Sequence, residues 1–337
     1  MSEFNLEQLN HYLDSNVPNF KRLKRIEKFA NGQSNPTYRL WAESGDYVLR
    51  RKPNGKLLKS AHAIEREYRV MKALEYSDVP VPKSLHLCED TSVLGSEFFI
   101  MFYVPGRTFW NPALPELNAS QRVATYNEIN RTLAAIHTVD LQQAGLSDYG
   151  KPGNYFARQT SRWTGQYLVT ETEDIPAMNA VIQWLEDNMI NDDGRVSLVH
   201  GDFRIDNLQF DEQGQSVQAV LDWELSTLGH PFADLAYQCS LWRLPPNAAL
   251  SGLAGVDRKK NGLPLESDYV ELYCQRTGLS GIDNWNFYLV FSLFRMAAIV
   301  QGVKKRALEG NSSADEGHAM RVGSLTSPLA TEAVSLL

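Results

Sequence analysis

Cysteine is scarce and scattered in this 337-residue chain: Cys88, Cys239 and Cys274 are odd in number, far apart, and form no CxxC pair or Cys/His cluster with metal-site spacing. That argues against a disulfide scaffold and against a zinc centre, and it points to reduced thiols in a cytoplasmic protein. An excess of positive charge is also lacking. The 33 Lys and Arg residues are spread among 40 Asp and Glu, for a net charge of -7. Nucleic-acid coating needs clustered positive charge to displace counterions, so no nucleic-acid partner is expected. No apolar run is long enough for a bilayer span of ~20 residues. The most apolar stretch, Phe287 to Val303, is interrupted by Arg295 and reads as a buried helix. The opening MSEFNLEQLN has no basic start followed by an apolar segment, so neither a secretory signal nor a membrane partner is expected. Neither GxGxxG nor GxxxxGK[ST] occurs, which leaves a Walker-type nucleotide site unsupported. Internal repeats and low-complexity tracts are absent as well.

What is present divides in two. The length itself favours two domains or lobes. Up to about Val104 the chain is rich in strand patterns, with one helix at about Asn5–Leu13 and a longer one at about Ser60–Tyr76. Strands are expected over Phe20–Ala30, Thr37–Ala42, Tyr47–Arg51, Ser84–Cys88 and Glu97–Val104. After Pro105-Gly106 helices dominate: about Ser120–Thr138, Tyr155–Val169, Pro176–Asn188, Phe232–Leu241, Ser267–Thr277 and Asn284–Arg306. Short strands at Arg195–Val199, Leu208–Phe210 and Gln218–Leu221 interrupt them. The composition shift places a lobe boundary between 1–104 and 105–337.

The strongest chemical signal is LVHGDFRIDNLQF at 198–210. An apolar strand runs into His200-Gly201-Asp202, Asn207 follows five residues after Asp202, and a second apolar run delivers Asp222 at its end. Phosphoryl transfer needs these group types. One carboxylate orients the attacking hydroxyl and accepts its proton, while an amide oxygen and a second carboxylate hold magnesium against the phosphates. An ordinary turn would also use Gly, Asp and Asn; the second apolar run ending in Asp222 favours chemistry.

These residues resemble the aminoglycoside phosphotransferase and choline kinase-like family, relatives of the protein kinases. HGDFRIDN is similar to its HGDxxxxN catalytic loop, and LDWE to its strand-end metal-binding Asp. The resemblance implies an α+β, bilobal protein-kinase-like fold: a strand-rich N-lobe over the nucleotide and a mainly helical C-lobe with the catalytic loop and acceptor site. It further implies ATP and magnesium as cofactors, Asp202 as catalytic base, and Asn207 and Asp222 as metal ligands. GHPFADLAY at 229–237 resembles a downstream family segment, implying that Asp234 holds the catalytic loop; a helix-capping role is the plain alternative.

In the first lobe the resemblance makes FANGQSNPTYRL a phosphate-covering turn, with Gly32, Ser34 and Asn35 facing the anion. Val48, Arg50 and Lys52 share one strand face. Arg50 stands where many members carry the phosphate-anchoring Lys, with Lys52 as the alternative. Glu67, rather than Glu65, is the implied helix partner. FFIMFYV resembles the hinge that brackets adenine, with backbone hydrogen bonds from Met101 to Tyr103. His137, Trp163, Trp184 and Trp242 read as packed core or interface residues, and Asp206 as facing away from the site.

The acceptor is a small molecule with a hydroxyl. VLRRKPNGKLLKSAHAIEREYRVMKAL and LWRLPPNAALSGLAGVDRKKNGLP resemble the branch related to the kinase-like domain that precedes acyl-CoA dehydrogenase domains. That resemblance implies a hydroxy acid or hydroxyacyl acceptor. Two alternatives are a nucleotide-binding pseudokinase-like regulatory module and a kinase of amino-alcohol or aminoglycoside substrates; the latter would want acidic pockets, and 241–262 has no dense acidic cluster. A protein kinase is disfavoured by His-Gly-Asp and the lack of an APE-like segment. A monomer or homodimer is expected.

Overall fold

The computed structural model describes residues 5–29, 35–53, 63–246, 249–310 and 316–337. Helix α1 (Leu6–Asn16) starts where Asn5 Oδ1 accepts from the N–H groups of Glu7 and Gln8, both at 3.1 Å. Strands β1 (Leu23–Lys28), β2 (Thr37–Ala42) and β3 (Gly45–Arg51) form an antiparallel meander. The β2–β3 turn closes at Gly45, whose φ of +133° suits glycine. Helix α2 (Ile64–Leu74), β4 (Ser84–Cys88), the short α3 (Thr91–Leu94) and β5 (Phe98–Phe102) complete a five-stranded sheet of order β1-β2-β3-β5-β4.

The second part is helical: α4 (Ala119–His137), α5 (Tyr155–Thr170) and α6 (Pro176–Asp187), then, after the segment 188–231, α7 (Phe232–Leu241), α8 (Glu266–Thr277), α9 (Trp285–Leu308), α10 (Glu316–Gly323) and α11 (Thr326–Val334). Between α6 and α7 lie four short strands, β6 (Ser197–Val199), β7 (Leu208–Phe210), β8 (Val217–Val220) and β9 (Thr227–Gly229). They pair as two antiparallel couples, β6 with β9 and β7 with β8. This is the α+β, two-part architecture expected. Helix α9 has the length and apolar composition of a membrane span, but 83% of that stretch is buried inside the fold.

Two cores hold the chain. A smaller one, Leu9, Leu13, Phe20, Leu40, Leu49 and Phe98 among them, joins α1 to one face of the five-stranded sheet. The other face, through Val48, Phe99 and Met101, belongs with α2 to the large core of the helical part. Both faces of β3 and β5 are therefore covered, which is why Tyr47–Leu49 and Phe98–Met101 are apolar without alternation. Helix α2 also packs on the turn Trp223–Leu225. There Arg66 donates to the carbonyls of Tyr149 (2.8 Å) and Ser226 (3.5 Å). The seam between the parts is thus a continuous core, and it fixes the positions of the groups that face the cleft.

Candidate active site

The cleft at this seam is a cavity of about 1010 Å³, large for a single small-molecule site. Its charged end is assembled from β3, α2 and the segment between β6 and the start of α7. Gly201 explains the His-Gly-Asp order. Its φ is +84°, and a Cβ there would lie 2.6 Å from the carbonyl oxygen of Leu225, so the chain can make this turn only with glycine. His200 is buried and braces the loop. Its Nδ1 accepts from the Asp202 N–H at 3.2 Å, which leaves Nε2 to donate to the Leu221 carbonyl at 2.9 Å.

Asp234 holds the loop from beneath. It accepts from the N–H groups of His200 (2.6 Å) and Gly201 (2.8 Å), and His137 Nε2 lies 3.4 Å away. Burial alone would lift its carboxyl. The hydrogen bond and charge of His137, with help from His200 and the Gly201 N–H, hold it below the ordinary carboxylate range. His137 is a packed residue, as expected, its Nδ1 meeting Tyr273 Oη at 2.7 Å.

Asp202, Asn207 and Asp222 converge. Asn207 Nδ2 donates to Asp202 O (2.9 Å) and Oδ2 (3.1 Å), committing the amide nitrogen and leaving Oδ1 of Asn207 as an acceptor. The Leu221 N–H donates to the Asn207 carbonyl at 2.8 Å, placing Asp222 beside it. Asp222 has φ 63° and ψ 59°, a left-handed conformation uncommon for a residue with a Cβ, and this turns its carboxylate into the cleft.

Arg50 crosses the seam. Its Nε donates to Glu67 Oε2 at 2.7 Å and a terminal nitrogen to Asp222 Oδ1 at 2.6 Å, with Glu224 Oε2 at 4.0 Å. Burial, reinforced by the carboxylates of Asp222 and Glu224, raises Glu67 to about 7 against the pull of Arg50. One guanidinium among three carboxylates leaves the site short of positive charge. The uncommitted oxygens of Asn207 and Asp222 are hard donors, and magnesium typically takes one or two carboxylates plus phosphate oxygens and water. Among the described residues no three His, Cys, Asp or Glu side chains form a metal cage. The donor set therefore fits a magnesium ion brought in with phosphates.

Not every expected residue falls where the sequence suggested. Lys52, the alternative anchor, pairs with Glu65 at 2.9 Å and with Glu97, outside the cavity lining. Asp206 does not face away. It lines the cleft, 3.2 Å from Arg204 Nη2, because the one-turn helix Ile205–Asn207 rotates it back toward the cavity. Burial raises its carboxyl, with Arg204 opposing. Asn35 is buried, and its Nδ2 donates to Glu224 Oε2 at 3.3 Å, so this donor ties the two parts together through a carboxylate of the chain itself. Gly32 and Ser34 lie outside the described residues. Met101 and Tyr103 line the cavity, but the N–H groups of Phe102 and Tyr103 donate to Lys83 O and Asp46 O, both at 3.0 Å. Those two donors are unavailable to a base; Val104, the next residue, also lines the cavity. Pairing of β5 on both sides is the reason.

Sequence reasoning missed Arg204 and Tyr237. Arg204 lines the cleft with Nε 3.1 Å from Asp202 Oδ1. Tyr237 Oη donates to the same oxygen at 2.6 Å. A cation two places after Asp202 was a visible signal; Tyr237 gave none.

The other end of the cavity is different in kind. Trp110, Pro112, Tyr126, Leu241, Trp242 and Leu250 line it, and the Tyr126 hydroxyl is already bonded to Pro112 O at 2.5 Å.

Comparison with known proteins agrees with this geometry. The Phosphotransferase enzyme family matches residues 25–259. Mouse acyl-CoA dehydrogenase family member 10 is 50% identical over 304 residues, covering 90% of this chain and 28% of that protein. This chain spans less than half the length of the curated relatives it matches, 28% to 43% of them. A Ralstonia eutropha crystal structure, described provisionally as an aminoglycoside phosphotransferase, is 47% identical with a TM-score of 0.90, covering 99% of this chain and 98% of that one. Aminoglycoside phosphotransferase APH(4)-Ia, solved with AMP-PNP and hygromycin B, shares the fold at 15% identity and a TM-score of 0.62, each chain covered to 98%. With the segment 198–222 inside the matched region and its cleft built as described, the chain belongs to the phosphotransferase enzyme family.

Proposed function

We propose that this phosphotransferase moves the terminal phosphoryl group of ATP, with magnesium, to the hydroxyl of a small hydroxy acid or hydroxyacyl compound. The observation that carries the reading is the convergence of Asn207, Asp222 and Arg50 on the lining of one cavity, with Asp202, which is not itself a lining residue, held by Asn207, while much of the remaining lining is apolar. Asp202 orients the acceptor hydroxyl and takes its proton as the oxygen attacks the terminal phosphorus; the bond to the bridging oxygen breaks and ADP leaves. Asn207 and Asp222 would hold magnesium, which neutralises charge on the phosphate oxygens when bound. Arg50, held by Glu67, positions the phosphates, and Met101, Tyr103 and Val104 border the base. The solved relative bound to AMP-PNP supports the choice of nucleotide.

The apolar lining supports an acyl acceptor over a cationic one. The carboxylates that line the cavity are Glu67, Asp206 and Asp222; Arg50 engages Glu67 and Asp222, and Arg204 Nη2 lies 3.2 Å from Asp206. An amino-alcohol or aminoglycoside would find each of these counter-charges already paired. Function resides in this site, since the fold alone serves many acceptors. ADP release from MgATP, measured across a panel of hydroxy acids and hydroxyacyl thioesters, tests the proposal. Acceptor-dependent turnover by the hydroxyacyl class is the expected result. Nucleotide binding without turnover on every acceptor would favour a regulatory module instead.

A further inference from the structure

Two buried side chains behind Asp202 have no role in the reaction as described so far. Tyr237, on α7, donates from Oη to Asp202 Oδ1 at 2.6 Å. Arg295, on α9, is the charge that interrupts the most apolar stretch of the chain, and it is 8% exposed. Its Nη2 donates to the carbonyl of Gly201 at 2.8 Å, one residue before the base. Its guanidinium lies 5.9 Å from the Tyr237 ring and 5.8 Å from the Trp163 ring. Among the described residues no carboxylate is within ion-pairing distance of it. A core filler at this place would be apolar, because burying a cation without a carboxylate is costly.

Counting the acceptor positions on Asp202 gives these groups a purpose. A carboxylate offers about four lone-pair directions. Oδ1 has two neighbours, Tyr237 Oη at 2.6 Å and Arg204 Nε at 3.1 Å. Oδ2 has one, Asn207 Nδ2 at 3.1 Å. The Arg204 contact is an ion pair without hydrogen-bond geometry, so it crowds the second direction on Oδ1 without filling it, and the unobstructed direction is on Oδ2. We propose that Tyr237 and Arg295 are a positioning pair: Tyr237 anchors Oδ1, Arg295 anchors the Gly201 carbonyl, and together they present Oδ2 of Asp202 to the acceptor hydroxyl. Burial and the Asp202 carboxylate keep the Tyr237 phenol protonated, as a donor must be.

The inference rests on Asp202 being the base, so the experiment includes a variant of each. Single-turnover phosphate release from γ-labelled MgATP, with water as nucleophile, is measured on the full chain alongside MgATP affinity and melting temperature. Tyr237→Phe lowers the rate about ten- to a hundredfold, the value of one hydrogen bond to a charged group, with MgATP affinity within about twofold. Arg295→Met lowers it in the same way, and Arg295→Lys recovers most of the loss by restoring a cationic donor. Wild-type rates in both Tyr237→Phe and Arg295→Met, with Asp202→Asn inactive, would overturn the positioning pair and leave the base in place. A wild-type rate in Asp202→Asn would remove the base itself. Loss of melting temperature with an unchanged rate per folded molecule, equal for Lys and Met at 295, would reduce both residues to core packing.

Discussion

The two ends of the cleft are built on opposite principles. At the charged end each group is held by named partners: Arg50 bridges Glu67 and Asp222 from distant parts of the chain, Asn207 grips Asp202 within the same loop, and Asp234 carries that loop from α7. Elsewhere in the lining Trp110, Pro112, Leu241 and Leu250 present apolar shape, with uncharged Gln238 and Ser251 among them. The difference teaches where this enzyme has freedom. Charge geometry for phosphoryl transfer tolerates little displacement, because preorganised electrostatics supply most of the catalysis. An apolar wall selects by fit, and one side-chain change there alters the acceptor without touching the reaction.

Four substitutions test that contrast, beginning with the most damaging. Asp202→Asn lowers kcat about a hundred- to ten-thousandfold and leaves MgATP affinity nearly intact, read by steady-state kinetics with calorimetry; a parallel loss of affinity would mean that this end does not separate binding from chemistry. Asp222→Asn weakens the magnesium-dependent part of ATP affinity about ten- to a hundredfold, while affinity measured in EDTA stays as in the wild type. Leu250→Asp, at the opposite end, raises KM for the preferred acceptor about tenfold with KM for MgATP unchanged. If it raised both equally, the two ends would not be independent. Lys52→Met alters nucleotide affinity less than about twofold, since its ion pairs with Glu65 and Glu97 lie outside the cavity. A large effect would return Lys52 to the role given to Arg50.

Much of the scaffold was legible in advance, for reasons that vary by element. β2, β4 and α7 have the residue limits read from periodicity alone, because Gly, Pro and charged residues bracket each one. The strand expected over Glu97–Val104 is shorter, Phe98–Phe102, since the chain must leave the sheet before Pro105. β9, only Thr227–Gly229, escaped notice; three residues carry no period, and only pairing with β6 makes them a strand. Asp206 was misjudged for a related reason. Alternation assumes extended backbone, and the one-turn helix there breaks it.

The kind of chemistry was determined by the sequence alone. His200, Gly201, Asp202, Asn207 and Asp222 lie within one short stretch, and covalent connectivity keeps groups so near in the chain near in space. Which other side chains join them was decided by tertiary structure. Arg50 reaches Asp222 across 172 positions, Asn35 spends its amide on Glu224, Tyr237 turns to Asp202, and Arg295 arrives from α9. No local pattern encodes those meetings. They follow from how a sheet face and a helical core pack into one interior, where a buried polar group must take whatever partner the packing brings within reach.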